Sequence, residues 1–189
     1  MDAFLVSTGV VALAEMGDKT QLLSLLLAAR YRQPTAIILG ILCATLANHA
    51  AAAALGAWIT AFLGYDNLRW IIGVSFIVMA FWMLIPDRLD GSAASTVKLG
   101  VFGTTVIAFF LAEMGDKTQV ATVALAAQYT SFYAVVAGTT LGMMVANVPA
   151  VLLGERVTRR LPLPWIHGVA AMIFALLGVT VLMGTTMPG

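Results

Sequence analysis

Long apolar runs alternate along the chain with short polar or proline-bearing turns. A membrane-spanning helix needs about 20 mostly apolar residues, and six stretches qualify: 3–29, 34–63, 68–86, 99–128, 132–154 and 165–186. Between them lie Arg30-Tyr31-Arg32-Gln33-Pro34, Gly64-Tyr65-Asp66-Asn67, Pro86-Asp87-Arg88-Leu89-Asp90-Gly91 and Arg159-Arg160-Leu161-Pro162. These are rich in residues that end helices or favour turns. The pattern predicts an all-α membrane protein with six transmembrane helices.

The chain also repeats itself. Ala14-Glu15-Met16-Gly17-Asp18-Lys19-Thr20-Gln21 returns, residue for residue, as Ala112-Glu113-Met114-Gly115-Asp116-Lys117-Thr118-Gln119, an offset of 98. The match extends to Ala28-Ala29 with Ala126-Ala127, Tyr31 with Tyr129, Gly40 with Gly138 and Gly56 with Gly154. A one-residue slip also pairs Ala47-Asn48 with Ala146-Asn147. This divides the chain into a first three-helix repeat at 1–86, a cytoplasmic linker at 87–98 and a second three-helix repeat at 99–189. Three spans are an odd number, so the second copy must enter the bilayer from the opposite side, which makes the repeats inverted. The basic residues fit that arrangement: Arg30, Arg32, Arg88, Lys98, Arg156, Arg159 and Arg160 fall on one side and Arg69 on the other. By the positive-inside rule the richer side is cytoplasmic and both termini are outside.

Composition agrees with a bilayer as solvent: 61% of residues are hydrophobic, 10% are charged and the mean hydropathy is +0.97. A soluble all-helical core would leave too few charged faces. The net charge of +1 gives no electrostatic reason to expect nucleic acid. Cys43, the lone cysteine, excludes a disulfide framework and a thiolate cluster, and its apolar surroundings predict buried packing. The first apolar run lacks a basic start and continues past Lys19, so it is expected to remain in the mature protein. Trp58, Trp70, Trp82 and Trp165 fall mostly near span ends, as an aromatic belt would.

Four of the nine acidic residues, Glu15, Asp18, Glu113 and Asp116, lie inside apolar spans. An ionised carboxylate there costs several kcal/mol unless paired, hydrated or metal-bound. Glu and Asp three apart share one helix face, and Gln21 or Gln119 extends the stripe. Inversion would bring both stripes together near the midplane, gathering up to four carboxylates around one point. Such oxygen donors suit calcium, magnesium or manganese. Gly17 and Gly115 permit either close helix approach or a local break that frees backbone carbonyls. Lys19 and Lys117 bring the formal charge of the four acids from minus four to minus two, which a divalent ion would neutralise. Protons and metal would then compete for the same carboxylates.

Asn48 and Asn147 could complete the shell of ligands with their side-chain carbonyls. His49 reads as a helix-packing hydrogen-bonder rather than a ligand or proton carrier, and His167 as interfacial. Thr20, Thr118, Gln21 and Gln119 are further candidate metal ligands through their side-chain oxygens, with satisfying helix carbonyls as the alternative for the threonines and the preferred reading for Ser24. A competing reading makes the motifs Glu-Lys salt bridges that lock two helices, but it leaves one carboxylate over in each repeat.

The doubled Glu-Met-Gly-Asp-Lys-Thr at residues 15–20 and 113–118 resembles the Glu-x-Gly-Asp-Lys-(Thr or Ser) signature of a cation/proton exchanger family, once classed as uncharacterised. That family includes Golgi and chloroplast manganese/calcium transporters and bacterial manganese exporters. The resemblance covers essentially the whole chain. It implies metal and proton binding by Glu15, Asp18, Glu113 and Asp116, with Lys19, Lys117, Thr20 and Thr118 as motif members. Asn48 and Asn147 match polar positions in the second and fifth helices. The short linker and the lack of a long N-terminal extension look like the bacterial members. They imply an inner-membrane protein that exports manganese, with calcium as the other candidate cargo.

On this reading the chain is no enzyme and needs no prosthetic group, and Mn2+ or Ca2+ is bound only as transported substrate. Its partners are metal ions, protons and membrane lipid, not nucleic acid, with a homo-oligomer also open to it. The alternatives are a passive divalent-cation channel, an intramembrane metal-dependent enzyme and a scaffold. No Ser/His/Asp set or phosphate-binding loop favours the enzyme.

Overall fold

The computed structural model describes residues 1–63, 65–85, 99–129, 131–154 and 163–184. The expected linker at 87–98, Gly64, the turns at 86–91 and 159–162, and the basic residues Arg88, Lys98, Arg156, Arg159 and Arg160 lie outside them. The described residues form helices and their connections, with no strand among them. In chain order these are α1 (Asp2–Glu15), α2 (Lys19–Tyr31), α3 (Pro34–Leu63), α4 (Tyr65–Trp82), α5 (Gly100–Glu113), α6 (Lys117–Gln128), α7 (Phe132–Leu153) and α8 (Leu163–Leu182).

Pro34–Leu63, Phe132–Leu153 and Pro164–Leu182 are each long and apolar enough to cross a membrane, and Leu68–Trp82 and Gly100–Glu113 are shorter apolar helices. Pro34 opens α3, where its missing N–H is no loss and its fixed φ suits the first turn. Two expectations need correction. The runs at 3–29 and 99–128 are each two helices, broken at Met16-Gly17-Asp18 and Met114-Gly115-Asp116. The turn expected at Gly64–Asn67 is already helical from Tyr65, because nothing in Tyr-Asp-Asn blocks the backbone from joining α4.

The first helix of each half packs on the long third helix of the other: α1 on α7, and α5 on α3. Glycines make these approaches possible. A Cβ on Gly40 would fall 2.7 Å from Thr105 Cβ and 3.1 Å from Phe102 O; one on Gly138 would fall 3.0 Å from Ser7 Cβ and 2.6 Å from Phe4 O. Each of these residues is matched by the one 98 positions away, so one contact is made twice with the halves exchanged. The last helices of the two halves, α4 and α8, meet each other: a Cβ on Gly178 would lie 2.9 Å from Gly73 O, the close backbone crossing that small residues permit within a bilayer.

This register overturns the slipped pairing of Asn48 with Asn147. Both α3 and α7 are uninterrupted helices from the glycine contact onward, so the offset of 98 persists. His49 is the counterpart of Asn147, and Asn48 that of Ala146.

Phe76, Met79, Met83, Leu125 and Phe174 lie in one buried apolar cluster, and Leu23, Leu27, Ile37, Ile41 and Phe109 in another. Outside, large apolar residues stand open: Phe62 is 77% exposed and Trp165 79%. A surface of this kind suits lipid rather than water. Cys43 belongs to that outer surface and is exposed, against the expectation of burial. In a bilayer an apolar neighbourhood in sequence fits either face of a helix.

Candidate functional site

Each repeat of Glu-Met-Gly-Asp folds as the same tight turn. Met16 has φ −65° and ψ 113°, Gly17 has φ 85°, and Asp18 N–H donates to Glu15 O at 3.1 Å. Met114 has φ −65° and ψ 119°, Gly115 has φ 78°, and Asp116 N–H donates to Glu113 O at 3.1 Å. These are the features of a type II turn, whose third position needs a positive φ and therefore glycine. The break thus answers what Gly17 and Gly115 are for.

Asp18 and Asp116 occupy the N-cap positions of α2 and α6 without a side-chain capping bond. Glutamine caps in their place. Gln21 Oε1 accepts from Gly17 N–H at 3.0 Å, and Gln119 Oε1 accepts from Gly115 N–H at 2.7 Å. This is a variant of the capping box, in which the third residue of the helix reaches back to a free N–H. Asp-x-x-Gln was in the sequence as its signal, and the polar-stripe reading passed over it. The aspartate carboxylates are left for other work.

That work joins the two halves. Lys19 Nζ lies 2.7 Å from Asp116 Oδ1, and Lys117 Nζ lies 3.4 Å from Asp18 Oδ1. Each lysine therefore pairs with an aspartate of the other repeat. Glu15 and Glu113 each take one hydroxyl: Thr20 Oγ1 donates to Glu15 Oε2 at 2.5 Å, and Thr118 Oγ1 donates to Glu113 Oε1. Glu15, Glu113 and Asp116 each bring a carboxylate oxygen to within 4.8 Å of the others, all three buried. Glu15 Oε1, Glu113 Oε2 and Asp116 Oδ2 have no hydrogen-bond partner among the described residues. Unpaired anionic oxygens at such spacing repel strongly in a low dielectric unless protons or a cation lie among them.

The asparagines expected as ligands make hydrogen bonds of their own. Asn48 Nδ2 donates to Phe110 O at 3.1 Å. Asn147 Oδ1 accepts from Ser24 Oγ at 2.7 Å, while its Nδ2 donates to Met143 O at 3.1 Å. Gln21 Nε2 donates to Ala146 O at 2.9 Å, so α2 is bonded to α7 beside the site. Thr20, Thr118 and Ser24 serve side chains rather than helix carbonyls, which corrects that expectation. His49 is buried, and neither ring nitrogen has a hydrogen-bond partner among the described residues, so it is not the packing hydrogen-bonder expected. His167 is partly buried. Its Nε2 lies 2.8 Å from Met16 O, a carbonyl freed by the first turn. Beyond the end of α6, burial and then the Asp2 carboxylate push the Tyr129 hydroxyl above its usual range.

The chain is similar to known proteins over nearly its whole length. The family described as "Divalent cation/proton antiporter GDT1" matches residues 3–91 and 101–188, one match per repeat. A Vibrio cholerae protein provisionally named a manganese exporter is 52% identical over 180 residues, covering 95% of this chain and 90% of its own. A GDT1-like protein of Synechocystis, sll0615, is 28% identical over 200 residues, covering 95% of this chain and 96% of its own. GDT1-like protein 4 of rice is 23% identical over 199 residues, covering 92% of this chain and 70% of its own. No solved structure matches the chain. The long apolar helices and the whole-chain match make this an integral membrane protein, and it belongs to the divalent cation/proton antiporter GDT1 family.

Proposed function

We propose that this protein exports manganese in exchange for protons across a bacterial inner membrane, using one buried set of carboxylates for both ions. One observation carries the reading: Glu15, Glu113 and Asp116, from both halves of the chain, converge within 4.8 Å with an unpartnered oxygen on each. Three carboxylate oxygens suit a hard divalent ion, and the Vibrio cholerae relative's name favours manganese over calcium. Asp18 joins the site through Lys117. Gln21, Gln119, Thr20, Thr118 and Asn147 hold the turns and carboxylates in place rather than binding the ion themselves.

The chemistry follows from charge. Metal entering among ionised carboxylates relieves their repulsion, and protons entering relieve it equally well. Protons arriving from one side therefore displace metal toward the other. The two Lys–Asp pairs fix the aspartates and leave the glutamates as the groups free to exchange.

The architecture proposed is six spans in two inverted repeats, with α1–α2 and α5–α6 as broken spans. Several contacts support it. Along α7, Gly138, Gly142 and Ala146 meet Phe4, Thr8 and Gln21 in ascending order, so α7 runs with α1–α2. Along α3, Gly40, Asn48 and Gly56 meet Phe102, Phe110 and Val123, so α3 runs with α5–α6. Since α3 turns back after α2, the two broken spans run in opposite directions on this reading, which the packing of α1 on α6 supports. Both termini would then lie outside.

The test is pH-gradient-driven flux of Mn2+ and Ca2+ in proteoliposomes, with internal pH recorded simultaneously. Saturable Mn2+ movement coupled to opposite proton movement, lost in Glu15→Gln and Asp116→Asn, is the expected result. Flux without proton movement would show a channel, and no flux from folded protein would remove the transport reading.

A further inference from the structure

His49 lies on α3, the helix that flanks the second broken span. Its neighbour Asn48 reaches Phe110 O, and further along Gly56 abuts Val123 O, where an added Cβ would fall 2.3 Å away. Glu113, Asp116 and Thr118 lie on the stretch between those two contacts. The imidazole is 0% exposed, and neither nitrogen has a hydrogen-bond partner among the described residues. One helical turn earlier, on the same face, Thr45 Oγ1 is also buried without a partner. The ring is outside the group of three carboxylates.

The opposite repeat shows what this place does when it is only structural. There Asn147 stands at the matching position and accepts the Ser24 hydroxyl. The counterpart of Ser24 is Thr122, which donates to Thr118 O of its own helix. One half has closed its polar pair, while the other keeps an imidazole open. A buried polar group without a partner costs about 1–3 kcal/mol, which an apolar residue at position 49 would avoid. An occupant other than protein therefore accounts for the histidine better than packing does.

We infer that His49 is a nitrogen donor to the transported cation at a second station on α3, along the second broken span, and that it selects transition divalent ions over calcium and magnesium. Alkaline-earth ions take oxygen ligands, whereas first-row transition ions bind imidazole well. The inference rests on the cation-exchange reading above and adds the residue that would set the choice of ion.

Pulsed electron paramagnetic resonance on the purified full chain, loaded to saturation with Mn2+, tests it directly. The chain has two histidines. Imidazole nitrogen modulation is expected in the native protein and in His167→Asn, and not in His49→Asn. Asparagine at this position mirrors Asn147, and the native spectrum needs no variant at all. In flux assays His49→Asn should let Ca2+ compete against Mn2+ about tenfold better, the lower range for losing a group that tunes a metal site. No nitrogen coupling at saturation, coupling that persists in His49→Asn, or unchanged competition would overturn the assignment. Native protein that moves no Mn2+ against protons would overturn the exchange reading instead, and the nitrogen coupling would still decide whether His49 is a ligand.

Discussion

The two Glu-Met-Gly-Asp-Lys-Thr-Gln turns share every residue and the same backbone angles, yet their surroundings differ. In the first turn His167 covers Met16 O, and the Lys19 side chain is 24% exposed. In the second, Met114 and Gly115 are exposed while the Lys117 side chain is 2% exposed. Local geometry is therefore written in the motif, and enclosure in the helices packed around it.

The largest effect should be indifferent to the asymmetry. Glu15→Gln and Glu113→Gln should each lower exchange roughly a thousandfold, about 4 kcal/mol of barrier, measured as initial Mn2+ flux. If one of them kept near-native flux, the glutamates would not be equivalent partners in one site. The lysines should sharpen the contrast. Lys117→Met leaves Asp18 buried without that cation and should lower stability by about 3 kcal/mol, whereas Lys19→Met should cost clearly less. Thermal unfolding in detergent reads both, and equal losses would contradict the difference in enclosure.

Backbone effects come next. A Cβ on Gly115 meets nothing within 4 Å, so Gly115→Ala should cost only the strain of a positive φ, about 1–2 kcal/mol. A much larger loss would mean that the open face of this turn is covered in the membrane. The smallest effect is at the caps. Gln119→Ala removes a bond to the exposed Gly115 N–H and should cost about 0.5–1 kcal/mol. Gln21→Ala should cost more, since Gln21 also bonds Ala146 O across helices. The same melting series checks the pair.

Much of this was legible in the residues. The run 34–63 appears unchanged as α3, because a proline start and an unbroken apolar stretch leave no competing structure. The doubled motif announced two halves and an acidic centre. Its turn was harder to read, since glycine inside an apolar helix also serves close packing, and Asp-x-x-Gln gains its meaning only once the helix is known to start there. Cys43 was misplaced because lipid-facing and buried positions are equally apolar in a bilayer. The asparagine pairing went wrong for another reason: matching identities favoured a slip, whereas two rigid helices hold register, which sets His49 opposite Asn147. Salt bridges between Lys and Asp across the repeats depend on inter-helix distances that no spacing within one helix encodes.

A shared site for protons and metal is tested most directly by counting protons released when Mn2+ binds to the purified protein. Calorimetric titrations in buffers of different ionisation enthalpy give that number. Proton release that grows as pH is lowered, and that disappears in the Glu15→Gln, Glu113→Gln double variant, is the expected result. Mn2+ binding with no proton release at any pH would contradict it.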